Sequence, residues 1–359
     1  MPATRVPTPP AQLSVTVTGL GVLLTWAPNT IMLFETVPPT PIWVSMNRIN
    51  SRSRLTFVPS KPPWTTRFAP APTGALHIGH AVNAVWVWGT ARAFGGRVLL
   101  RIEDHDRIRS RPEHEAGILE DLEWLGLEPD ETVPRQSERQ ERYAEVLAGL
   151  EARGLVYPCL CTRKEVQAAT GRRSGELRYP GTCRERGVDP ASTPIRRLHL
   201  PPWEALFHDL LLGERRQVPA EQCGDLLLRD RDGHWTYQLA VVVDDLDQGV
   251  DLVIRGRDLL SSTGRQLQLR RIVLDDAPDA PRFLHHRLVR DPDGRKLSKS
   301  DGDTGLAELR DAGWPPERVL GEAARLGGIV APDPDPTRPL GLDAIAEKIS
   351  TTTLHFSLS

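Results

Sequence analysis

The chain has 359 residues, long enough for one large domain or two smaller ones, each with a core. With 39% hydrophobic and 26% charged residues and a formal net charge of −2, it is not a globally basic nucleic-acid binder, although a local arginine patch is compatible with RNA. Four cysteines are too few for a disulfide scaffold, and no stretch reaches the roughly 18 apolar residues of a membrane span.

The first residues differ in composition from the rest. Between Met1 and Met46 only Arg5 and Glu35 are charged, and prolines recur from Pro7 to Pro41. Residues 1–63 therefore read as a low-complexity, proline-rich extension, largely disordered. Leu13–Thr18 alternates apolar and polar as a strand does, with no obvious partner. The apolar stretch Leu13–Trp26 has only Arg5 before it and no small-residue cleavage site after it, so a secretory leader is not expected.

A regular pattern starts at Thr65. Thr66–Ala69 predicts a strand, Pro72-Thr73-Gly74 a turn, Ile78–Phe94 a helix stopped by Gly95-Gly96, and Arg97–Ile102 a second strand. This βαβ order opens a parallel, doubly wound sheet of the Rossmann type. Pro112 starts a helix that runs to Gly126, and Ser137 with Gln140 predicts a capping box ahead of a helix ending near Gly154. Leu239–Val243 is a continuous apolar run, expected to be a buried strand whose end carries Asp244 and Asp245. Helices are predicted over 306–312 and 316–326, followed by a tail over 331–359.

Three groups of residues point to chemistry. His77-Ile78-Gly79-His80 sits between the first strand and the first helix, where backbone N–H groups and the helix dipole favour phosphate. There Gly79 is expected to admit a ligand close to the backbone, and the histidines to donate to phosphate oxygens. Lys296-Leu297-Ser298-Lys299-Ser300 follows the turn Asp291–Gly294, and two lysines on such a loop can close over a triphosphate. Cys159-Leu160-Cys161 with Cys183 offers three thiolates. By spacing alone they are equally a zinc site or free thiols, and Cys223 is left over as a buried thiol. Arg163, Arg172, Arg173, Arg178, Arg184 and Arg186 surround this element as either a solvated face or phosphate contacts.

Arg67-Phe68-Ala69-Pro70 with Thr73-Gly74, the histidine motif, Leu100–Asp104, Val243–Asp245, Val253–Gly256 and the lysine loop together resemble the glutamyl-tRNA synthetases, in order, from about Thr66 to Gly328. The resemblance implies a class I synthetase catalytic domain over 64–330, ATP with Mg²⁺, and two-step aminoacylation. It implies His77, His80, Lys296 and Lys299 as catalytic, with His77, Gly79, His80 and Lys299 at ATP. Arg67, Phe68, Ala69, Pro70, Ala71, Glu103, Tyr237 and Arg255 would surround glutamate: Arg67 at its side-chain carboxylate and Glu103 at its amino group. Ala71 stands where the family generally has serine, so one hydroxyl is missing.

Only residues 301–359 follow the lysine loop, too few for a large anticodon-binding region. With the cysteine spacing, this is similar to the short glutamyl-Q tRNA(Asp) synthetases, which attach glutamate to queuosine at the wobble position of tRNA(Asp). That resemblance implies a zinc element over about 157–186, ligated by Cys159, Cys161, Tyr179 and Cys183, in a cytoplasmic, monomeric protein. A truncated enzyme charging the 3′ end of tRNA(Glu), or a non-catalytic RNA- or protein-binding paralogue, remains open.

Overall fold

A computed structural model describes residues 13–18, 21–26, 30–32, 63–171, 177–275, 280–289, 305–331 and 338–351. The chain divides after Ser60 into two units. In the first, β1 (Leu13–Thr18), β2 (Gly21–Trp26) and β3 (Thr30–Met32) form an antiparallel sheet in sequence order. The region expected to be disordered thus carries three strands, and the strand expected to stand alone has a neighbour. β2 is equally long and only a short connection away, so Leu13 pairs with Trp26 and Thr18 with Gly21.

The second unit opens with the predicted βαβ order: β4 (Thr65–Phe68), α1 (Ile78–Phe94) and β5 (Arg97–Leu100). The strands are parallel, from Thr65 beside Arg97 to Phe68 beside Leu100. Helix α1 stops at Gly95, whose φ of 69° suits glycine. Next come α2 (Pro112–Trp124), with proline in its first turn, and β6 (Glu131–Thr132), parallel to β5. The expected capping box is displaced ahead of α3 (Gln140–Ala152). A 3-10 turn over Gln136–Arg139 intervenes, the Arg135 N–H donates to the Glu138 carboxylate at 3.0 Å, and the Ser137 N–H goes to Asp104 at 2.7 Å.

An inserted module follows. β7 (Val156–Pro158), α4 (Arg163–Thr170) and β8 (Arg196–Leu198) precede the hairpin of β9 (Ala205–Asp209) and β10 (Gly213–Gln217), then α5 (Pro219–Gln222) and β11 (Leu226–Arg229). β7, β8 and β11 form an antiparallel sheet. The chain then returns through α6 (Tyr237–Asp247), β12 (Leu252–Gly256), α7 (Thr263–Val273) and β13 (Arg282–His286), and ends in α8 (Leu306–Asp311), α9 (Pro316–Gly327) and α10 (Leu342–Thr351). β12, β13 and β9 are parallel, with β10 antiparallel at the edge. Beside β12 lies β4, tied to it by Asp251 N–H to Thr65 O (2.9 Å) and Thr65 N–H to the Asp251 carboxylate (2.8 Å). The two halves of the doubly wound sheet therefore meet at β4 and β12, the switch point outside which such sheets bind ligands.

Two expectations fail for physical reasons. Leu239–Val243 is not a strand but the middle of α6. The helix is enclosed on most sides, against α3 and α7 among others, so it is apolar nearly all round, and an apolar run in that setting has no strand period to betray. The 331–359 segment is also more than a tail, because α10 packs on α1. A Cβ at Gly89 would meet Ile349 Cδ1 at 2.6 Å and Ile345 Cγ2 at 3.3 Å, and both isoleucines are fully buried. No helix among the described residues is long and apolar enough to cross a membrane.

Candidate active site

A cavity of about 560 Å³ opens at the switch point, lined from every side by residues at strand ends and helix starts. Arg67 comes from β4, Glu103 and His105 from the segment after β5, His77 and His80 from the start of α1, Tyr237 from the start of α6, and Arg255 from β12. Ala69, Ala71 and Gly79 also line it. Phe68 and Pro70, expected at the substrate, face elsewhere: Phe68 packs in the core 5.2 Å from the Trp88 ring, and Pro70 is buried, its carbonyl receiving the Glu103 N–H. Alternation along β4 decides this, since Arg67 and Phe68 must point to opposite faces. Lys296 and Lys299 lie outside the described residues.

The part of the cavity at the start of α1 is built by helix capping. His77 is the N-cap of α1, and its Nδ1 accepts the Gly79 N–H at 3.0 Å; His80 Nδ1 accepts the His77 N–H at 3.1 Å. An Nδ1 that accepts leaves the proton of a neutral ring on Nε2, so both imidazoles are oriented as Nε2–H donors. The structure adds a second constraint at Gly79, beside its place in the cavity lining. A Cβ there would sit 2.8 Å from His77 Cε1, so any side chain would displace the ring that caps the helix.

The side of the cavity formed by Arg67 and Glu103 is an ionic lattice. Arg67 Nε reaches Asp245 Oδ1 at 3.0 Å, and the same oxygen accepts Arg101 NH1 at 2.8 Å. Arg101, fully buried, also holds Glu103 Oε1 at 3.0 Å. Burial alone would raise the Asp245 carboxyl, but Arg67 and Arg101 hold it below the ordinary range. Asp244 beside it accepts from Gln136 Nε2 (2.8 Å), Arg139 Nε (2.6 Å) and the Tyr143 hydroxyl (2.9 Å). Asp244, Asp245 and Asp247 in the last turn of α6 oppose its dipole, and Arg67, Arg101, Arg139 and Arg142 offset that. The expected role of Asp244 and Asp245 as ligand-gathering strand ends thus gives way to one as internal counterions.

Arg255 is held differently. Its donors go to His285 Nε2 (3.0 Å), Gln266 Oε1 (2.7 Å) and Thr263 Oγ1 (2.9 Å), all uncharged, and it has no carboxylate partner among the described residues. His285 is kept neutral by burial, and its Nδ1 donates to buried Asp209 at 2.6 Å, leaving Nε2 as the acceptor. A buried guanidinium with only neutral partners is a site for an incoming anion. Sequence reasoning missed Asp209, His285 and Arg101. Polar residues within apolar strands, as in Phe283-Leu284-His285-His286, were the available signal. His286 also lines the cavity, and burial pushes it down to about 4.

In the inserted module the expected ligand set converges. Tyr179 Oη lies 3.3 Å from Cys159 Sγ and 3.6 Å from Cys161 Sγ, Cys161 and Cys183 sulfurs are 3.5 Å apart, and the three Sγ atoms lie within 4.8 Å of one another. Tetrahedral zinc with bonds of about 2.3 Å sets its sulfurs roughly 3.7 Å apart, so this donor set fits the ion. Burial pushes the Cys161 thiol up to about 11. For Cys183 burial is outweighed by the Leu160 N–H and the Tyr179 hydroxyl, bringing it down to about 7. Tyr179 is fixed by its N–H to Cys223 O at 2.8 Å and by Gly224, where a Cβ would strike the Tyr179 carbonyl oxygen at 1.9 Å. Cys223 is the buried thiol expected. Of the surrounding arginines, Arg184 is tied to Asp225 at 2.7 Å and Arg178 to Ala220 O at 3.0 Å; Arg163 and Arg186 are exposed, and Arg172 and Arg173 lie outside the described residues.

Comparison with known proteins agrees with this geometry. The family described as tRNA synthetases class I (E and Q), catalytic domain, matches residues 64–333. The chain belongs to that family. A glutamyl-Q tRNA(Asp) synthetase of Symbiobacterium thermophilum is 45% identical over 292 residues, spanning 76% of this chain and 89% of the relative. Glutamate–tRNA ligase 1 of Acidithiobacillus ferrooxidans is 43% identical over 267 residues, yet this chain spans only 56% of it. The solved glutamate–tRNA synthetase of Elizabethkingia anophelis is 28% identical and superposes with a TM-score of 0.67, over 79% of this chain and 65% of that one. Class I synthetases of this family use ATP.

Proposed function

We propose that this protein activates L-glutamate with ATP and transfers the glutamyl group to queuosine at the wobble position of tRNA(Asp). The observation that carries the choice of acceptor is the set of relatives named glutamyl-Q tRNA(Asp) synthetase, among them those of Symbiobacterium thermophilum, 45% identical over 292 residues, and Deinococcus radiodurans, 46% identical over 266.

The cavity suits the first step. Arg67 and Arg255 supply guanidinium groups for two carboxylates and Glu103 an anion for the ammonium, while His77 and His80 offer Nε2–H donors at a helix N-terminus. The α-carboxylate is already ionised, so no base is needed. Its oxygen attacks the α-phosphorus, the bond to pyrophosphate breaks, and the site contributes alignment and charge stabilisation. In the second step an acceptor hydroxyl attacks the glutamyl carbonyl, loses its proton, and AMP leaves. Lys296 and Lys299 would close over the Mg²⁺-bound triphosphate. One Zn²⁺ on Cys159, Cys161, Tyr179 and Cys183 would brace the inserted module, and the exposed Arg163 and Arg186 beside it would meet tRNA phosphates.

Glutamate-dependent ATP–pyrophosphate exchange without tRNA is the test, followed by mapping of the glutamylated nucleotide. Exchange with glutamate alone and label on the wobble base are expected. Label on the 3′ end of tRNA(Glu) would replace the acceptor, and no exchange with or without tRNA would overturn the enzymatic reading.

A further inference from the structure

His105 belongs to none of the roles assigned so far, yet it lines the cavity between Glu103 and Tyr237, its ring centroid 6.0 Å from that of Tyr237. The backbone beyond β5 stays extended there: the Arg101 N–H reaches Phe68 O and the Glu103 N–H reaches Pro70 O, both at 3.0 Å. Extended backbone puts residues two apart on one face, so Arg101 and Glu103 project together, and Glu103 and His105 both line the cavity.

The tautomer of His105 is set from outside the cavity. The Asp244 carboxylate, which also accepts from Arg139 and Tyr143, takes the Gln136 Nε2–H at 2.8 Å, which fixes the amide, because the opposite orientation would turn its oxygen toward a carboxylate. Gln136 Oε1 is then the atom facing His105 Nδ1 at 2.7 Å, and an amide oxygen only accepts. Nδ1 therefore carries a proton, and in the neutral ring Nε2, across the ring from this bond, presents its lone pair with no hydrogen-bond partner among the described residues. The chain Asp244–Gln136–His105 thus fixes an acceptor at the cavity wall. A second imidazole beside it, His286, has both nitrogens engaged, by Arg287 O at 3.0 Å and Asn83 at 3.1 Å.

We propose that His105 Nε2 is a second acceptor for the α-ammonium of the amino-acid substrate, acting beside the Glu103 carboxylate. The proposal rests on the glutamate-activating reading. An ammonium brings three donors, and a single carboxylate oxygen pair already shared with Arg101 leaves room for another acceptor. This residue would select α-amino acids over deaminated diacids of the same length.

The test uses two substitutions that split the ring's two bonds. His105→Asn keeps a donor near the position of Nδ1 for Gln136 and removes the acceptor, whereas His105→Gln restores an acceptor near the position of Nε2. Exchange kinetics and calorimetric binding are measured with glutamate, with glutarate as the analogue lacking the amino group. His105→Asn is expected to raise the glutamate KM and Kd about 10- to 100-fold, leaving the ATP KM and glutarate affinity unchanged, with His105→Gln recovering most of the loss. If glutarate binding weakens as much as glutamate binding, His105 only props the wall and the inference falls. Normal wild-type exchange with an unmoved glutamate KM in His105→Asn overturns this inference alone. A wild type that neither exchanges nor binds glutamate overturns it together with the functional reading.

Discussion

The floor of the cavity and the cysteine–tyrosine element are both clusters of polar side chains buried in the same unit, but they are held by opposite means. Beneath the pocket, Arg67, Arg101 and Arg139 interleave with Glu103, Asp244 and Asp245, so nearly every charge has a counter-charge within about 3 Å. Around Tyr179, three sulfurs and a phenol oxygen approach one another with hydrogen bonds among themselves and from the Cys183 N–H. The first cluster is complete within the chain, and a substrate finds it preformed. The second is a set of soft donors pointing at a common centre, which a cation would convert from crowding into bonding. The pocket should therefore be broken by mutation and the inserted module by chelation.

The largest effect is expected from Asp245→Ala. It leaves the guanidinium groups of Arg67 and Arg101 buried with one acceptor fewer, which costs on the order of 3–5 kcal/mol. Denaturant unfolding would show the loss, and glutamate-dependent exchange should disappear with it. A fully stable variant would mean the lattice is redundant. Chelation comes next: a strong chelator should release about one zinc per chain and raise amide exchange across 157–186, leaving β4 and β5 protected. Equal protection before and after treatment would show that the four donors hold each other without metal.

The smallest predicted change tests how Arg255 is prepared. Asp209→Asn keeps an acceptor for the Leu211 and Leu212 N–H groups but offers an N–H to His285 Nδ1, which moves the imidazole proton to Nε2, against the Arg255 N–H. Glutamate KM should rise about tenfold with the fold intact, a change consistent with one lost hydrogen bond to a charged group. An unchanged KM would show that Gln266 and Thr263 suffice to aim Arg255.

Much of the site was legible in the sequence because its signals are local. His77 and His80 cap the very helix they begin, and the C-x-C pair needs only one distal cysteine and one tyrosine, all within a short stretch. What escaped notice depends on partners far away in the chain. Asp244 and Asp245 look like a strand end until α6 is seen enclosed by other helices, with Arg67, Arg101 and Arg139 arriving from three other segments. His285 looks like one more residue of an apolar strand until Asp209 and Arg255 close on it from either side.

By itself, then, the sequence determined the βαβ start, the place of the histidine motif between the first strand and the first helix, and the family, since each is written in contiguous residues. Only the tertiary structure decided which face of β4 lines the cavity, that Leu239–Val243 is helical, that α10 belongs to the core, and how the charges are paired. Apolar runs carry no record of what surrounds them, and the protonation and aim of a buried group depend on neighbours that only folding brings into contact.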